Sequence, residues 1–468
     1  YMVGMADPTD LTAYDEIARV LKRDIDLAVV TETELLRVID RSYRRTEQIV
    51  GLAQELGADL GDSGAVDFAA LATTPGLEEA PVVKLLQTVF EDATQARASD
   101  VHIEPQEKRL QIRFRIDGVL HLQTETDAKI ASAVVLRLKL MSGLDIAEKR
   151  LPQDGRFAIK VRNTAIDVRI STMPTQYGES VVMRLLNQGS GILGLDNIGI
   201  PADMLAKVRE VIHRHSGMIL VTGPTGSGKT TTLYAALNEL NTPERKIITV
   251  EDPVEYRLPG INQVQINDKI ELTFDRVLRS ALRQDPDVVL VGEMRDEKTV
   301  ETGLRAAMTG HMVFSTLHTN DASSTPIRLL DMGAPRYMVA LSLQLVIAQR
   351  LVRVICESCI EDYRLLPNEH EFLRSELGDE VDRHAYKRGR GCSHCNGTGF
   401  NGRTGIYEML EMTKPVVEAA NQEDVQKFIK VAREQLAGRT LRHHAAQIVA
   451  AGRTTPDEAM RVSSQLAD

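Results

Sequence analysis

The stretch that most constrains this chain is Gly223-Pro-Thr-Gly-Ser-Gly-Lys-Thr230, which lies between an apolar run and a helical pattern. The apolar run at 218–221 predicts a short buried strand, and residues 231–238 predict a helix. A glycine-rich loop in that setting directs backbone N–H groups and the positive end of a helix towards a chain of phosphates. We therefore predict an α/β fold in which this loop binds a nucleotide.

Two residues of the loop have the chemistry that phosphoryl transfer needs. Lys229 is placed to meet the β- and γ-phosphates, and the hydroxyl of Thr230 is placed to hold Mg²⁺. ATP and Mg²⁺ are therefore the predicted cofactors. The predicted nucleotide-binding residues are Gly223, Pro224, Thr225, Gly226, Ser227, Gly228, Lys229, Thr230 and Thr231.

Composition narrows the class of protein. The 468 residues have a net charge of -10, which weighs against a protein whose main partner is nucleic acid. No apolar run approaches the ~20 residues needed to cross a bilayer. The N-terminus has no signal-peptide pattern, so we expect a cytoplasmic protein. Because the chain begins at Tyr1 with a short apolar run, we interpret it as a piece of a longer protein.

Apolar periodicity, glycines and prolines divide the chain into segments. Strands that alternate with helices between 201 and 352 predict a mostly parallel sheet of the RecA-like kind. The strict alternation in Arg109–Ile116 predicts a half-buried strand in a smaller, preceding domain. The predicted segments are an N-terminal α/β remnant at 1–48, a flexible linker at 49–80, a small α/β domain at 81–187, a hinge at 188–200, a RecA-like ATPase domain at 201–352, a tetracysteine zinc module at 353–403 and a helical C-terminal part at 404–468.

Acidic or polar side chains stand at the ends of three further predicted strands: Glu251 with Glu255, then Glu293, then His318. In open α/β sheets, ligands bind at the edge formed by the C-terminal ends of the strands. Glu251 is the first choice for the base that orients the attacking water, with Glu255 as its alternate. We expect Glu293 to hold Mg²⁺ and His318 to contact the γ-phosphate. Any one of them alone is better explained as a solvated loop or a cap, but their repetition at successive strand ends favours a catalytic site.

The four cysteines form two C-x-x-C pairs, Cys356 with Cys359 and Cys392 with Cys395. Such pairs suit one tetrahedral Zn²⁺ held by four thiolates, and a site with four protein ligands is structural because no position is left for water. The 32 residues between the pairs exceed the spacing of a compact ribbon, so an excursion between two knuckles is expected. Redox thiols and cysteines without metal are the alternatives.

These segments resemble the traffic ATPases that drive type II secretion and type IV pilus assembly. The resemblance rests on four motifs, at 223–230, 249–256, 282–296 and 309–322, and extends from about residue 80 to 412. It implies a homo-hexamer of two-domain subunits with ATP bound between the domains. It also implies that ATP hydrolysis powers the assembly of pilins or pseudopilins.

The resemblance assigns arginines that spacing alone leaves as surface charges. Arg169 and Arg184 match the family's arginines that reach the γ-phosphate from the smaller domain, where a guanidinium offsets the charge that develops in phosphoryl transfer. Arg279, Arg283 and Arg295 match basic positions around the third motif, which the family associates with nucleotide and subunit contacts. Surface salt bridges are the alternative for these three.

The tetracysteine segment separates subclasses of this family. Secretion and pilus-assembly members carry it, whereas retraction motors generally lack it and have a characteristic helix near the end that this sequence does not contain. The residues of these motifs most resemble those of the mannose-sensitive haemagglutinin-type pilus extension ATPases, and type II secretion ATPases are nearly as good a match.

The segment Met5–Leu11 resembles the end of the family's N-terminal domain. That resemblance implies docking to an inner-membrane platform protein and to a cytoplasmic docking protein, with the ATPase peripheral at the inner membrane. In some pilus members the same domain binds cyclic di-GMP.

Two other classes of function compete with this interpretation. A RecA-like nucleic-acid motor would use the zinc module and the arginine face of the strand Arg109–Ile116, but the acidic balance and the absence of Trp weigh against it. A nucleotide-bound scaffold without hydrolysis is disfavoured because Lys229, Glu251, Glu293 and His318 are all present.

Overall fold

The computed structural model describes residues 1–21, 23, 25–31, 35, 81–161, 164–187 and 193–463. The chain divides into two compact units, one formed by Tyr1–Ser190 with Gly391–Thr398 and the other by Gly191–Arg390 with Gly399–Asp468. No helix in the described part of the chain has both the length and the apolar character that a bilayer crossing requires. The predicted linker at 49–80 lies outside the described residues.

The N-terminal segment of the first unit is a strand–helix–strand element. Strands β1 (Met2–Met5) and β2 (Asp26–Val29) pair in parallel, and helix α1 (Leu11–Leu21) connects them. Parallel strands need such a crossover because a tight turn cannot bring them side by side. Of the predicted remnant at 1–48, the part beyond residue 31 lies outside the described residues except for Leu35.

The larger part of the first unit is an antiparallel sheet with two helices packed on it. The described strands follow the order β5-β4-β3-β8-β7-β6. Alternation explains the packing, since Leu110, Ile112 and Phe114 are buried in the core while Gln111 and Arg113 between them are only partly buried. The elements are α2 (Pro81–Gln95), β3 (Asp100–Pro105), β4 (Arg109–Ile116), β5 (Val119–Asp127), α3 (Ala131–Met141), β6 (Gln153–Val161), β7 (Thr164–Thr175) and β8 (Gly178–Asn187).

The second unit is built on a larger sheet with the order β11-β10-β12-β13-β9-β14-β17 in the described residues. All neighbours are parallel except β14 and β17. Strand β9 is buried along its whole length, as expected for a central parallel strand covered on both faces. The strands are β9 (Gly217–Thr222), β10 (Ile247–Glu251), β11 (Asn262–Gln265), β12 (Val288–Val291), β13 (Met312–Leu317), β14 (Leu343–Ile355) and β17 (Phe400–Glu411).

Helices cover both faces of this sheet and continue after it. One face packs against the two helices that flank β9, and the other packs against the helices after β12 and those at the C-terminus. The helices up to β14 are α4 (Ala202–Ile212), α5 (Lys229–Leu240), α6 (Phe274–Ala281), α7 (Glu297–Met308), α8 (Ser324–Asp331) and α9 (Arg336–Ser342).

The segment after β14 holds a small antiparallel pair, β15 (Ile360–Asp362) with β16 (Lys387–Gly389), and α10 (Pro367–Leu377) lies between them. The helical part that we predicted from residue 404 has its first helix at Lys414, because residues 403–411 pair with β14 as strand β17. The C-terminal helices are α11 (Lys414–Ala420), α12 (Val425–Leu436), α13 (Leu441–Ala450) and α14 (Pro456–Ser463).

Candidate nucleotide site and metal centre

The phosphate loop joins the end of β9 to the start of α5, in the order that the sequence predicts. Gly223 and Gly228 have φ values of 145° and 87°, which side chains with a Cβ rarely adopt. At Gly223 a Cβ would also lie 2.4 Å from the carbonyl oxygen of Gln349. The loop therefore has room for glycine alone at its first position, and Thr230 and Thr231 follow in the first turn of α5.

Lys229 is held within the loop that it serves. Its Nζ donates to the carbonyl oxygens of Gly223 at 2.8 Å and Pro224 at 3.1 Å. Burial lowers the pKa of Lys229 to about 8, Glu293 opposes this shift, and Arg350 adds to it. The direct hydrogen-bond partners of this partly desolvated ammonium are neutral carbonyls, so a phosphate chain suits it.

A residue that the sequence analysis missed supports the same loop from β14. Gln349 is 1% exposed, and its Nε2 donates to the carbonyl oxygen of Ser227 at 2.7 Å. Its Oε1 accepts from the hydroxyl of Thr232 at 2.8 Å. A glutamine and an arginine at 349 and 350, between the apolar runs 345–348 and 351–352, were the signal that could have indicated it.

Glu251 ends β10 and is buried, with 4% exposure. It accepts hydrogen bonds from the hydroxyl of Tyr234, from Thr249 Oγ1 at 2.6 Å and from Gln263 Nε2 at 3.2 Å. A carboxylate has about four lone-pair positions, so these donors fix its orientation and leave little of it open. Glu255, its alternate, is partly buried in the loop that follows.

Glu293 and His318 meet at the edge where the phosphate loop lies. His318 Nε2 is 3.6 Å from Glu293 Oε2, and Arg295 pairs with Glu293 and, at 3.2 Å, with Asp252. Burial lowers the pKa of His318, the nearby charge of Lys229 lowers it further, and Glu293 opposes both. The structure thus brings Lys229, Glu293 and His318 into one electrostatic group, as their strand-end positions predicted.

The two arginines assigned by resemblance belong to the first unit. Arg169 on β7 and Arg184 on β8 are cross-strand neighbours. Arg184 is half exposed, and its Nε donates to Asp100 Oδ1 at 3.1 Å. Asp100 is itself buried and also accepts from Ser99. A buried carboxylate therefore sets the direction of Arg184, a contact that spacing in the sequence did not reveal.

The basic residues around the third motif have local partners. Arg279 pairs with Asp275 on its own helix, and Arg283 donates to the carbonyl oxygen of Arg279 at 3.0 Å and to Ser280 Oγ at 3.2 Å. Arg295 alone of the three joins the group around Glu293. Surface pairing, the alternative considered for these arginines, describes the contacts of Arg279.

The four cysteines come together although 32 residues separate the pairs. Their sulfur atoms all lie within 4.8 Å of one another, and Cys392 Sγ is 3.7 Å from Cys395 Sγ. Four thiolates at about 2.3 Å from one Zn²⁺ would stand about 3.8 Å apart, so this donor set fits the ion. The backbone N–H of Cys392 donates to Cys395 Sγ at 3.2 Å, a contact that stabilises a thiolate.

Residues 76–461 match the family described as type II/IV secretion system protein. The chain belongs to that family, and it is an ATP hydrolase. Residues 2–49 match a separate description, the MshEN domain. The family that we predicted from the four motifs and the predicted fold class are both confirmed.

Curated relatives agree with this assignment. Type II secretion system protein E of Pseudomonas aeruginosa is 41% identical over 99% of this chain and 92% of its own length. Type IV pilus assembly ATPase PilB of Myxococcus xanthus is 43% identical over 87% of this chain and 73% of its own. Relatives from type II secretion and from type IV pilus assembly thus have similar sequence identity to this ATPase.

Solved structures agree in fold. The pilus retraction motor PilT with bound ADP has a TM-score of 0.55 and 28% identity, over 81% of this chain and 96% of that one. The ATPase DotB of Legionella pneumophila has a TM-score of 0.60 at 20% identity, over 82% of this chain and 96% of its own, which shows a shared fold alone.

Proposed function

We propose that this ATPase is a Mg²⁺-dependent homo-hexamer that powers pilin or pseudopilin assembly in type IV pilus biogenesis or type II protein secretion. The observation that carries the proposal is the group formed by Lys229, Glu293 and His318 beside the phosphate loop. Relatives from type II secretion and type IV pilus assembly, at 41% and 43% identity, support these two systems as the candidates. The alternative of a nucleic-acid motor is not favoured.

In the proposed mechanism the chain binds phosphates and stabilises developing charge, without a covalent intermediate. Thr230 and Glu293 would hold Mg²⁺, which would offset part of the phosphate charge. Lys229 exchanges its carbonyl contacts for the β- and γ-phosphates, and His318 contacts the γ-phosphate. Arg169 and Arg184 would neutralise charge on the γ-phosphate as its bond breaks.

The base remains a choice between Glu251 and Glu255. Three donors hold the carboxylate of Glu251, so it keeps one orientation but offers little free surface to a water. We retain it as first choice, because a fixed carboxylate orients a water without reorganising. Substituting each glutamate by Gln and measuring single-turnover hydrolysis compares the two: the base is the residue whose variant binds ATP but does not cleave it.

The cysteine cluster is proposed to hold a structural Zn²⁺. Three of the four cysteines are buried, and their four sulfur atoms lie within 4.8 Å of one another, which suits ligands of one Zn²⁺. We infer that the metal ties the two C-x-x-C knuckles together and takes no part in hydrolysis.

The partners are proposed from the family. An inner-membrane platform protein and a cytoplasmic docking protein are expected, with this ATPase peripheral at the inner membrane. The MshEN match at 2–49 supports docking through the N-terminal segment and raises cyclic di-GMP as a ligand of that domain.

A knockout in the native host tests the proposal. Cells without the gene are complemented with the wild type or with Lys229→Gln, and surface pili and secreted proteins are scored separately. Loss of surface pili or of secreted proteins, restored by the wild type but not by Lys229→Gln, supports the assignment. Which of the two is lost shows whether the ATPase serves pilus assembly or secretion. Normal pili and normal secretion in the knockout would contradict it.

A further inference from the structure

Strand β14 pairs with β9, the strand that leads into the phosphate loop. It places two polar side chains next to the nucleotide site. Gln349 and Arg350 are consecutive, so their side chains leave opposite faces of the sheet. Both are almost completely buried, at 1% and 4% exposure. Buried polar groups of this kind persist where their hydrogen bonds hold something in place.

Gln349 controls the orientation of one peptide group in the phosphate loop. Its Nε2 donates to the carbonyl oxygen of Ser227 at 2.7 Å. In a trans peptide the C=O of one residue and the N–H of the next point in opposite directions. Holding the Ser227 carbonyl towards β14 therefore aims the N–H of Gly228 away from β14, as a donor for a phosphate oxygen.

The glutamine side chain is itself fixed from the other side. Thr232 Oγ1, one turn into α5, donates to Gln349 Oε1 at 2.8 Å. The backbone is equally close, since a Cβ at Gly223 would lie 2.4 Å from the carbonyl oxygen of Gln349. The start of the loop, its last glycine and the first turn of α5 thus all rest on one residue of a neighbouring strand.

Arg350 makes the corresponding contact on the opposite face. Its Nη2 donates to the backbone and side-chain oxygens of Asn320, at 3.2 and 3.3 Å. Asn320 is two residues after His318. Among the described residues, the Nε and Nη1 groups of Arg350 have no hydrogen-bond partner. The carboxylates of Asp321 and Glu408 also attract this buried guanidinium, but its hydrogen bonds go to Asn320, which points to a role in holding the loop that follows His318.

We propose that Gln349 and Arg350 are positioning residues for ATP hydrolysis, Gln349 for nucleotide binding through the phosphate loop and Arg350 for turnover through the His318 loop. The Arg350 half rests on the proposed contact of His318 with the γ-phosphate, whereas the Gln349 half does not. Substitutions at the two positions should therefore change different quantities. Those at Gln349 should change nucleotide affinity, and those at Arg350 should change kcat.

The same strand supplies matched controls. Gln344 is also on β14, but its amide oxygen accepts from Arg214, away from the phosphate loop. Arg353, also on β14, pairs with Glu458 at 2.8 Å. Variants at these two positions remove the same kinds of side chain from the same strand without touching either nucleotide loop.

The experiment uses the full chain with Mg²⁺ and compares Gln349→Met and Gln349→Glu with Gln344→Met. Methionine keeps the length of glutamine, and glutamate keeps the acceptor for Thr232 but cannot donate to Ser227. We expect both Gln349 variants to bind ADP at least about tenfold more weakly, the cost of one buried hydrogen bond. Gln344→Met should bind ADP like the wild type. Wild-type ADP affinity in both Gln349 variants, or an equal loss in Gln344→Met, overturns the proposal for Gln349.

Arg350→Lys is compared with Arg353→Lys in the same assay. Lysine keeps the charge but cannot reproduce the planar contacts of arginine. We expect kcat to fall about tenfold in Arg350→Lys with ADP affinity within about threefold of the wild type. An unchanged kcat overturns the proposal for Arg350. His318→Gln is measured alongside, because a wild-type kcat in that variant contradicts the assigned role of His318 and leaves the Gln349 result intact.

Discussion

Two cations that we assign to phosphate, Lys229 in the second unit and Arg184 in the first, are held in different ways. Lys229 donates to neutral carbonyl oxygens, and burial lowers its pKa to about 8. Arg184 is half exposed and pairs with the carboxylate of Asp100. The lysine's direct partners are thus neutral, whereas the arginine's charge is partly balanced by a carboxylate.

This difference suggests that Lys229 contributes to nucleotide binding and that Arg184 contributes to turnover. A cation held by carbonyls is ready for the phosphates of ADP or ATP, because its direct hydrogen-bond partners are neutral. An arginine already paired with a carboxylate gains less from a resting phosphate, whereas a positioned guanidinium stabilises the charge distribution of the phosphoryl-transfer transition state. We therefore assign Lys229 to both steps and Arg184 to turnover alone.

The largest effect should follow from removing the lysine. Lys229→Gln keeps the length of the side chain but loses its charge in a site of low polarity. We expect kcat/KM for ATP to fall by about 10⁴-fold, with part of the loss in binding and part in the transition state. Steady-state hydrolysis across ATP concentrations measures it. A loss below about tenfold would place the phosphate-binding charge elsewhere.

The next largest effect should follow from Arg184→Ala. An arginine finger in phosphoryl transfer contributes on the order of 10³-fold or more, so kcat should fall by that order. Arg184→Lys should recover little, because lysine does not reproduce the planar guanidinium. Rapid-quench hydrolysis at saturating ATP gives kcat directly. Recovery of wild-type kcat in the lysine variant would show that only charge matters there.

A smaller effect is expected from Asp100→Asn, which leaves Arg184 without its counter-charge. Asparagine keeps an acceptor oxygen but not the charge, so the arginine is held less firmly and kcat should fall by about tenfold. Glu104→Gln on the same strand is the control, since Glu104 pairs with Arg113 instead. Equal losses in both variants would mean that the effect comes from the sheet as a whole.

The smallest effect concerns pH. Because the pKa of Lys229 is lowered to about 8, its ammonium is charged below that pH and loses its proton above it. Affinity for ADP should therefore fall about fivefold from pH 8 to pH 9, provided that binding requires the charged form. Lys229→Arg stays charged over this range and should show a flatter profile. Equal profiles for the two proteins would assign the pH dependence to another group.

The sequence predicted the parts of this site that depend on local pattern. The phosphate loop, the strand-end positions of Glu293 and His318, and the two cysteine pairs follow from spacing, and the structure brings each set together. Contacts across the sheet were out of reach. Gln349 meets Ser227 from 122 positions away, and Asp100 meets Arg184 from 84, so no local pattern connects them.

Burial was equally hard to foresee. The position of Glu251 at a strand end indicated a carboxylate facing solvent and ligand. Its burial among the donors Tyr234, Thr249 and Gln263 depends on how α5 and β11 pack around it. Sequence periodicity assigns a residue to a strand, but the side chains that surround the end of that strand come from separate elements.

The most direct test of the central claim measures ADP affinity and kcat together in Lys229→Gln and Arg184→Ala, on the full chain with Mg²⁺. We expect Lys229→Gln to lose both, whereas Arg184→Ala should keep ADP affinity within about threefold of the wild type while its kcat falls by orders of magnitude. Loss of ADP affinity in Arg184→Ala as large as that in Lys229→Gln would contradict it, because both cations would then serve ground-state binding.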